Sequence, residues 1–209
     1  MSVKKPIFVV LAASLLVTTT TPALAQSARP AASSACGSSC TTVSAQAFGS
    51  GYAMEVAGSA EVGSGLYIVA AANSENEDFR LSNAGTVEEF YEDGIINATV
   101  GTTWPNDDVY EYEYAPGGVD SGLCVGEASL GNPLTLQDCG VSAVTCWIAL
   151  SNDDLGGYEP LMTALDNVVN TPYVMTATYT YSDFYTSEMS LTDGTFSPSQ
   201  MMRDLNGVL

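Results

Sequence analysis

The sequence predicts an all-β domain that follows an N-terminal export signal. The fold class rests on short runs rich in β-branched and aromatic residues, on the turn residues that separate them, and on the scarcity of helical patterns. Residues 109–114 alternate with the period of two expected of a half-buried strand. The longest helical candidate, residues 158–169, follows two glycines and contains Pro160, so we expect a turn or two there. Further strands are predicted at residues 66–69, 134–136, 147–150 and 173–181.

The N-terminus has the three parts of a secretory signal peptide. Lys4 and Lys5 give a positive start, and Ile7 to Val17 form an apolar run that is too short to span a bilayer. Small residues at Ala23 and Ala25 predict cleavage after residue 25. The alternative is an N-terminal membrane anchor. We expect residues 1–25 to be removed and the protein to be secreted, extracellular and without a membrane span.

The remaining chain divides into two parts by composition. Residues 26–47 are rich in Ala, Ser and Thr and have no apolar periodicity, so they are predicted to form a flexible leader. Residues 48–209 carry the strand patterns and are long enough to form one domain with its own core.

The charge balance excludes some partners. The chain has 24 acidic residues against five Lys and Arg, and two of those five lie in the predicted signal. Such a protein repels nucleic acid phosphates and anionic lipids, because binding to either depends on basic side chains. We therefore expect no nucleic acid partner.

Cysteine usage fits an oxidising compartment. With five cysteines, we expect two disulfides and one free thiol. Cys36 with Cys40 and Cys124 with Cys139 are the expected pairs, which leaves Cys146 free; Cys139 with Cys146 is the alternative. The chain has no histidine and no paired Cys-x-x-Cys motif, which argues against a zinc site.

The segment from residue 123 onward reads L-C-V-G-E-A-S-L-G-N-P-L-T-L-Q-D-C-G-V-S-A-V-T-C-W-I. It resembles one repeat of a ricin-type β-trefoil lectin, and more closely the diverged trefoils of some secreted actinobacterial proteins. Cys124 and Cys139 match the two cysteines of the family pattern, and Trp147 matches its closing tryptophan. Thr145 replaces the glutamine of the family's closing Gln-x-Trp.

Two weaker matches extend the resemblance to three degenerate repeats. Met54 to Gly58 is similar to the opening of a family repeat, with Phe79 in the closing position, and Gln200 precedes Met202 in a third closure. The resemblance implies a β-trefoil-like barrel in which Phe79, Trp147 and Met202 meet in the core. The closures are 68 and 55 residues apart, which requires insertions within the repeats.

The same resemblance implies sugar binding by an acidic residue near the start of a repeat, an aromatic platform and a nearby amide. The corresponding candidates are Glu55 in the first repeat, Glu127 in the second, and Tyr67 as a stacking surface. Glutamate is one methylene longer than the family's aspartate. Tyr110, Tyr112 and Tyr114 are alternative platforms, although an aromatic residue in a strand is more often part of the core.

Catalytic alternatives find little support in the sequence. The absence of histidine excludes Ser-His-Asp triads and Cys-His pairs, and Cys146 is expected to be an inert buried thiol. Paired carboxylates, such as Glu111 with Glu113, permit a glycosidase but also describe a solvated strand face. The acidic segments 106–108 and 152–154 lack EF-hand spacing, which argues against a specific calcium site.

The resemblance thus implies a non-enzymatic, lectin-like binding module, with an extracellular glycan or protein as its partner and no cofactor. An extracytoplasmic structural or protein-interaction domain without sugar binding is the main alternative, and a carboxylate-based hydrolase is the third.

Overall fold

Twelve short strands dominate the part of the chain that the structure, a computed structural model, describes: residues 40–140, 142–150, 157–179, 181–189 and 197–204. Two helices of six residues each interrupt them. The predicted all-β class is thus confirmed. In chain order the elements are β1 Val43–Ala45, β2 Tyr52–Val56, β3 Leu66–Ala70, β4 Phe79–Thr86, α1 Val87–Glu92, α2 Ala98–Thr103, β5 Asp108–Tyr114, β6 Leu123–Gly126, β7 Thr135–Asp138, β8 Trp147–Ala149, β9 Leu161–Thr163, β10 Tyr173–Thr176, β11 Tyr185–Glu188 and β12 Met202–Asp204.

The strands form three repeats of four. In each repeat the two middle strands make an antiparallel hairpin, namely β2 with β3, β6 with β7, and β10 with β11. The last strand of each repeat pairs with the first strand of the next, so β4 pairs with β5, β8 with β9, and β12 with β1. The first and last strands of each repeat are also joined, by the pairing of β5 with β8 and by bridges between Thr41 and Phe79 and between Glu159 and Met202. These six strands therefore follow one another around a closed cycle.

The three predicted closing residues occupy equivalent places in this pattern. Phe79, Trp147 and Met202 are the first residues of β4, β8 and β12, and all three are fully buried in one hydrophobic core. The indole Nε1 of Trp147 donates a hydrogen bond to the carbonyl oxygen of Val125, 3.0 Å away, so its polar atom is satisfied inside the core.

Two helices that the sequence did not predict lie in an insertion between the first two repeats, in the interval where the spacing of the closing residues required extra chain. Helices α1 and α2 lie between β4 and β5, and their apolar side chains join a second core with residues of β8 and β10. The start of α1 carries a recognisable signal: Thr86 accepts a hydrogen bond from the backbone N–H of Glu89, whose carboxylate accepts from the backbone N–H of Thr86. Residues 158–169, the expected site of a helical turn, instead contain β9.

The folded domain begins earlier than predicted. Residues 40–44, placed in the flexible leader by composition, are buried, and β1 pairs with β12. These residues have small side chains and no periodic pattern of apolar positions, yet part of the segment forms the strand that closes the barrel by pairing with β12. Cys40 is disulfide-bonded, while Cys36, its expected partner, lies outside the described residues.

The predicted bond between Cys124 and Cys139 is confirmed, and Cys146 is a free, buried cysteine. The bond ties the start of the β6–β7 hairpin to its end. Among the described residues, no helix is long and apolar enough to cross a membrane.

Candidate functional site

The strand register aligns the three hairpins and identifies equivalent positions. Glu55 of β2 lies opposite Tyr67 of β3, Gly126 lies opposite Thr135, and Thr176 lies opposite Tyr185. These pairs occupy the outer face of each hairpin, because the neighbouring residues in the strands point into the core.

In the first repeat this pair forms an accessible polar surface. Glu55 and Tyr67 are both half-buried, and the hydroxyl of Ser74 donates to Glu55 Oε2 over 3.4 Å. The ring of Tyr67 lies over Gly65: a β-carbon there would be 3.1 Å from the ring. Because glycine has no β-carbon, the Tyr67 ring can pack closely over Gly65. The structure therefore brings together the two first-repeat candidates chosen from the sequence.

Asp183 adds a carboxylate from the third repeat. It forms an antiparallel bridge with Tyr67, and paired residues in such a bridge place their side chains on the same face. Ile68, the next residue, donates its backbone N–H to Ser182 and accepts from Tyr181, at 3.1 and 2.7 Å. Glu55, Tyr67 and Asp183 thus form a row across three adjacent segments, with Tyr67 in the middle position. Sequence reasoning missed Asp183 because it belongs to another repeat.

The loop between β3 and β4 borders this row. Glu77, almost fully buried, accepts hydrogen bonds from the backbone N–H groups of Ala72 and Asn73 at 2.6 and 3.2 Å. Asn73 has a φ of 58°, a conformation that asparagine tolerates better than most residues. The Tyr114 hydroxyl donates to Asn76 Oδ1 over 3.0 Å. Of this loop, Ser74 contacts Glu55 directly, while Asn76 is held by Tyr114.

The site is strongly electronegative. Burial raises the pKa of Tyr114, and the carboxylates of Asp78, Glu75 and Glu55 raise it further. Burial likewise raises the pKa of Asp78, against the opposing hydrogen bond from the Gly117 backbone N–H. A field of this sign favours neutral or cationic ligands and disfavours anionic ones.

The equivalent surfaces of the other repeats are filled by protein. A β-carbon on Gly126 would lie 2.7 Å from Gln137 Cγ and 3.0 Å from the Val144 carbonyl oxygen, so no space remains there. In the third repeat Thr176 is buried, and its hydroxyl lies 2.8 Å from that of Ser187. The open row is therefore confined to the first repeat.

Glu127, the acidic candidate in the second repeat, lies in the interior and not on the ligand-accessible surface. The register makes Gly126 the equivalent of Glu55, and a shift of one residue turns a strand side chain to the opposite face. Glu127 is fully buried, and the Thr186 hydroxyl donates to its Oε1. Burial raises the pKa of Glu127, and this hydrogen bond opposes the shift.

The other polar candidates do not form an open cleft. Glu111 is buried and accepts from the Thr145 hydroxyl over 2.6 Å, which corrects its placement on a solvated face, and Tyr112 and Tyr114 are core residues. Among the described residues, no group of three or more cysteine, aspartate or glutamate side chains is arranged to hold a metal ion. The acidic segment 152–154 lies outside those residues.

Solved structures share this architecture at low sequence identity. A designed threefold-symmetric protein, ThreeFoil, aligns with a TM-score of 0.53 at 15% identity, over 79% of this chain and 97% of its own. A mosquitocidal holotoxin aligns with a TM-score of 0.54 at 10% identity, and this chain spans only 17% of it. The β-trefoil lectin of the Vibrio vulnificus hemolysin/cytolysin, solved with N-acetyl-D-lactosamine bound, gives 0.47 at 14% identity, over 79% of this chain and 93% of its own. No protein-family model and no curated sequence matches the chain.

With its three four-stranded repeats, the chain has a β-trefoil fold. The fold gives a common role to the three residues that stand two positions before the closing residues, namely Glu77, Thr145 and Gln200. Gln200 donates from Nε2 to the Glu188 carbonyl oxygen over 2.9 Å, and Glu77 accepts from the loop that precedes β4. Thr145 instead binds the Glu111 carboxylate. Each of the three side chains fixes the approach to a closing strand, although only one is a glutamine.

Proposed function

We propose that this trefoil is a secreted, non-catalytic carbohydrate-binding module whose binding site is the row formed by Glu55, Tyr67 and Asp183. The observation that carries the proposal is the half-buried pair of Glu55 and Tyr67, which the first repeat alone among the three hairpins leaves open.

The chemistry of the row suits a neutral sugar. An aromatic ring packs against the C–H face of a pyranose, and carboxylates accept hydrogen bonds from its hydroxyl groups. Ser74 contacts Glu55, and Asn76, two residues later in the same loop, is the amide that we assign to the role implied by the family resemblance. The negative field of the site disfavours sulfated and sialylated glycans, so we expect preference for uncharged ones.

The test is a binding screen of the oxidised protein against neutral and acidic glycans and polysaccharides, with and without calcium. Glu55→Gln and Tyr67→Ala are each expected to weaken binding of a selected neutral glycan at least about tenfold, since each removes a direct contact. Glu61→Gln, which removes a carboxylate from an exposed loop, is the matched control and should bind normally.

A folded protein that binds no glycan contradicts the proposal. So does a bound glycan whose affinity survives both substitutions. In the first case the protein-interaction alternative gains support, and it is already favoured by the closed surfaces of the second and third repeats.

A further inference from the structure

The second strands of the three hairpins meet where they begin. Antiparallel bridges connect the starts of β3, β7 and β11, and each start contributes two bridge residues that are two positions apart. The bridges and the strand segments therefore close into a ring of six positions. We call these six positions the axial ring: Tyr67 with Asp183, Tyr185 with Pro133, and Thr135 with Gly65.

The axial ring faces away from the core. The residue between the two ring positions of each strand is fully buried in the main hydrophobic core, namely Leu66, Leu134 and Phe184. Because successive residues of an extended strand face opposite sides, the ring positions face outward. Pro133 is exposed and the other five ring residues are half-buried, so all six contribute to one surface.

Tyr185 is the equivalent of Tyr67 in the third repeat. Tyr67 lies opposite Glu55 in its hairpin, and Tyr185 lies opposite Thr176 at the matching register position. Thr176 is buried and bonded to Ser187, so Tyr185 has no open polar partner in its own hairpin. Its neighbour on the axial ring is Asp183, two residues earlier on the same face of the strand. The ring thus places Tyr185 directly beside the row of the proposed sugar site.

The spacing of the two tyrosines exceeds the size of one sugar. Tyr67 and Tyr185 are diagonal neighbours across the bridge to Asp183, and such positions lie about 7–8 Å apart, within reach of aromatic side chains. The path from Glu55 to Tyr185 crosses two strand spacings of about 4.8 Å and two residues of about 3.3 Å each along the chain. A single pyranose ring on Tyr67 therefore leaves Tyr185 uncovered.

The charges of this surface favour uncharged sugars. The two basic side chains that the structure describes are engaged elsewhere, Arg80 with Asp120 and Arg203 with the ring of Tyr158. No cation on the axial ring offsets the carboxylate of Asp183, which repels uronic acids and sulfated sugars and accepts hydrogen bonds from hydroxyl groups. Two aromatic positions with a carboxylate between them thus match two consecutive neutral sugars.

We propose that Tyr185 forms a second sugar subsite, so that the module recognises a chain of at least two linked, uncharged sugars. The inference rests on the proposed sugar site, which it extends from Tyr67 across Asp183. The first sugar packs on Tyr67 and donates to Glu55, and the next sugar packs on Tyr185. Asp183 accepts hydrogen bonds from the hydroxyl groups where the two sugars meet.

The test compares sugars of increasing length. Glucose, galactose, mannose and N-acetylglucosamine, each with its β-1,4-linked disaccharide and tetrasaccharide, are titrated into the oxidised protein by isothermal calorimetry. In a series that binds, we expect the affinity to rise about tenfold or more from the monosaccharide to the tetrasaccharide, because a second aromatic contact is added.

Variants that keep the protein's charge locate this gain. Tyr185→Ser should lose about tenfold or more in affinity for the tetrasaccharide, whereas Tyr185→Phe should retain it, because the ring remains. Tyr67→Ala should weaken binding at every length. Tyr173→Ser is the matched control: Tyr173 is a half-buried tyrosine of the same hairpin, but its register places it on the opposite face, so binding should be normal.

Failure of the second subsite and failure of the sugar site give different results. A wild-type protein without a gain in affinity with length overturns the second subsite and leaves the row of Glu55, Tyr67 and Asp183 in place. The same conclusion follows if Tyr185→Ser keeps the gain or if Tyr173→Ser loses it equally. A folded protein that binds none of the four series overturns both proposals.

Discussion

Replacing Glu127 with glutamine is expected to stabilise the protein at neutral pH. Glu127 is fully buried between the second and third repeats, where it accepts from the Thr186 hydroxyl, and no described basic side chain lies beside it. Glutamine has nearly the same shape and keeps one acceptor oxygen for Thr186. The change thus removes the buried negative charge and keeps the packing.

The size of the effect follows from two opposing contributions. An unpaired buried carboxylate costs several kcal/mol even after relaxation, and each hydrogen bond to a charged group returns about 1.5–3 kcal/mol. Thr186 bonds Oε1 of Glu127, while the buried Oε2 has no hydrogen-bond partner among the described residues. We therefore expect a net gain of about 1–2 kcal/mol for the variant, or about 2–8 °C in Tm for a domain of this size.

The stability difference between Glu127→Gln and the wild type is expected to depend on pH. Because burial raises the pKa of Glu127 in the folded state above its ordinary value of 4.5, folding favours the protonated form. In the wild type, the favourable contribution of Glu127 to folding stability is fully present below pH 4.5, and it is lost as the pH rises through the folded-state pKa. The advantage of the variant should consequently be small at low pH and should grow toward neutrality.

Thermal unfolding of the oxidised protein across this pH range measures the effect. Glu61→Gln is the matched control, because it removes one negative charge from an exposed loop and relieves the general repulsion of an acidic chain. A gain in Glu61→Gln as large as that in Glu127→Gln would refute the reasoning. A Glu127→Gln variant that is less stable at every pH would refute it as well.

Three further predictions test the core, the free thiol and the export signal. Trp147→Ala should lose about 3–5 kcal/mol in urea unfolding, since it empties a fully buried site and breaks the bond to Val125; a loss under 1 kcal/mol would contradict the closing role. Cys146 should resist a thiol reagent until denaturant is added, because burial, with a smaller effect of Glu111, raises the pKa of its thiol to about 12; rapid labelling of the native protein would contradict this. Protein collected from the medium of a secreting host should begin at Gln26 by N-terminal sequencing, and an intact N-terminus would refute the predicted cleavage.

Much of the fold was readable because it is encoded locally. The alternation through β5 and the cysteines and tryptophan of the second repeat each lie within one short segment, and they predicted a strand, a disulfide and a core residue. Helix α1 also had a local sequence signal, the capping box formed by Thr86 and Glu89, but the helix is too short to show a long apolar period. Strand β1 had no such signal, because its small residues become buried only when β12 pairs with them.

The candidate site shows where local information ends. Glu55 and Tyr67 were predicted from the first repeat alone, and they do lie opposite each other in one hairpin. Glu127 was misplaced by one residue, and only the observed register distinguishes an inward carboxylate from an outward one. Asp183 joins the row through a bridge between repeats, a pairing that sequence separation hides.

The sequence by itself determined the fold class, the acidic surface, the Cys124–Cys139 bond and two residues of the candidate site. The tertiary structure decided which of three similar hairpins keeps an open polar face, and it placed Asp183 of the third repeat beside that face. The physical reason is that composition and strand period act within a few residues, whereas register, closure and side-chain packing depend on partners far away in the chain.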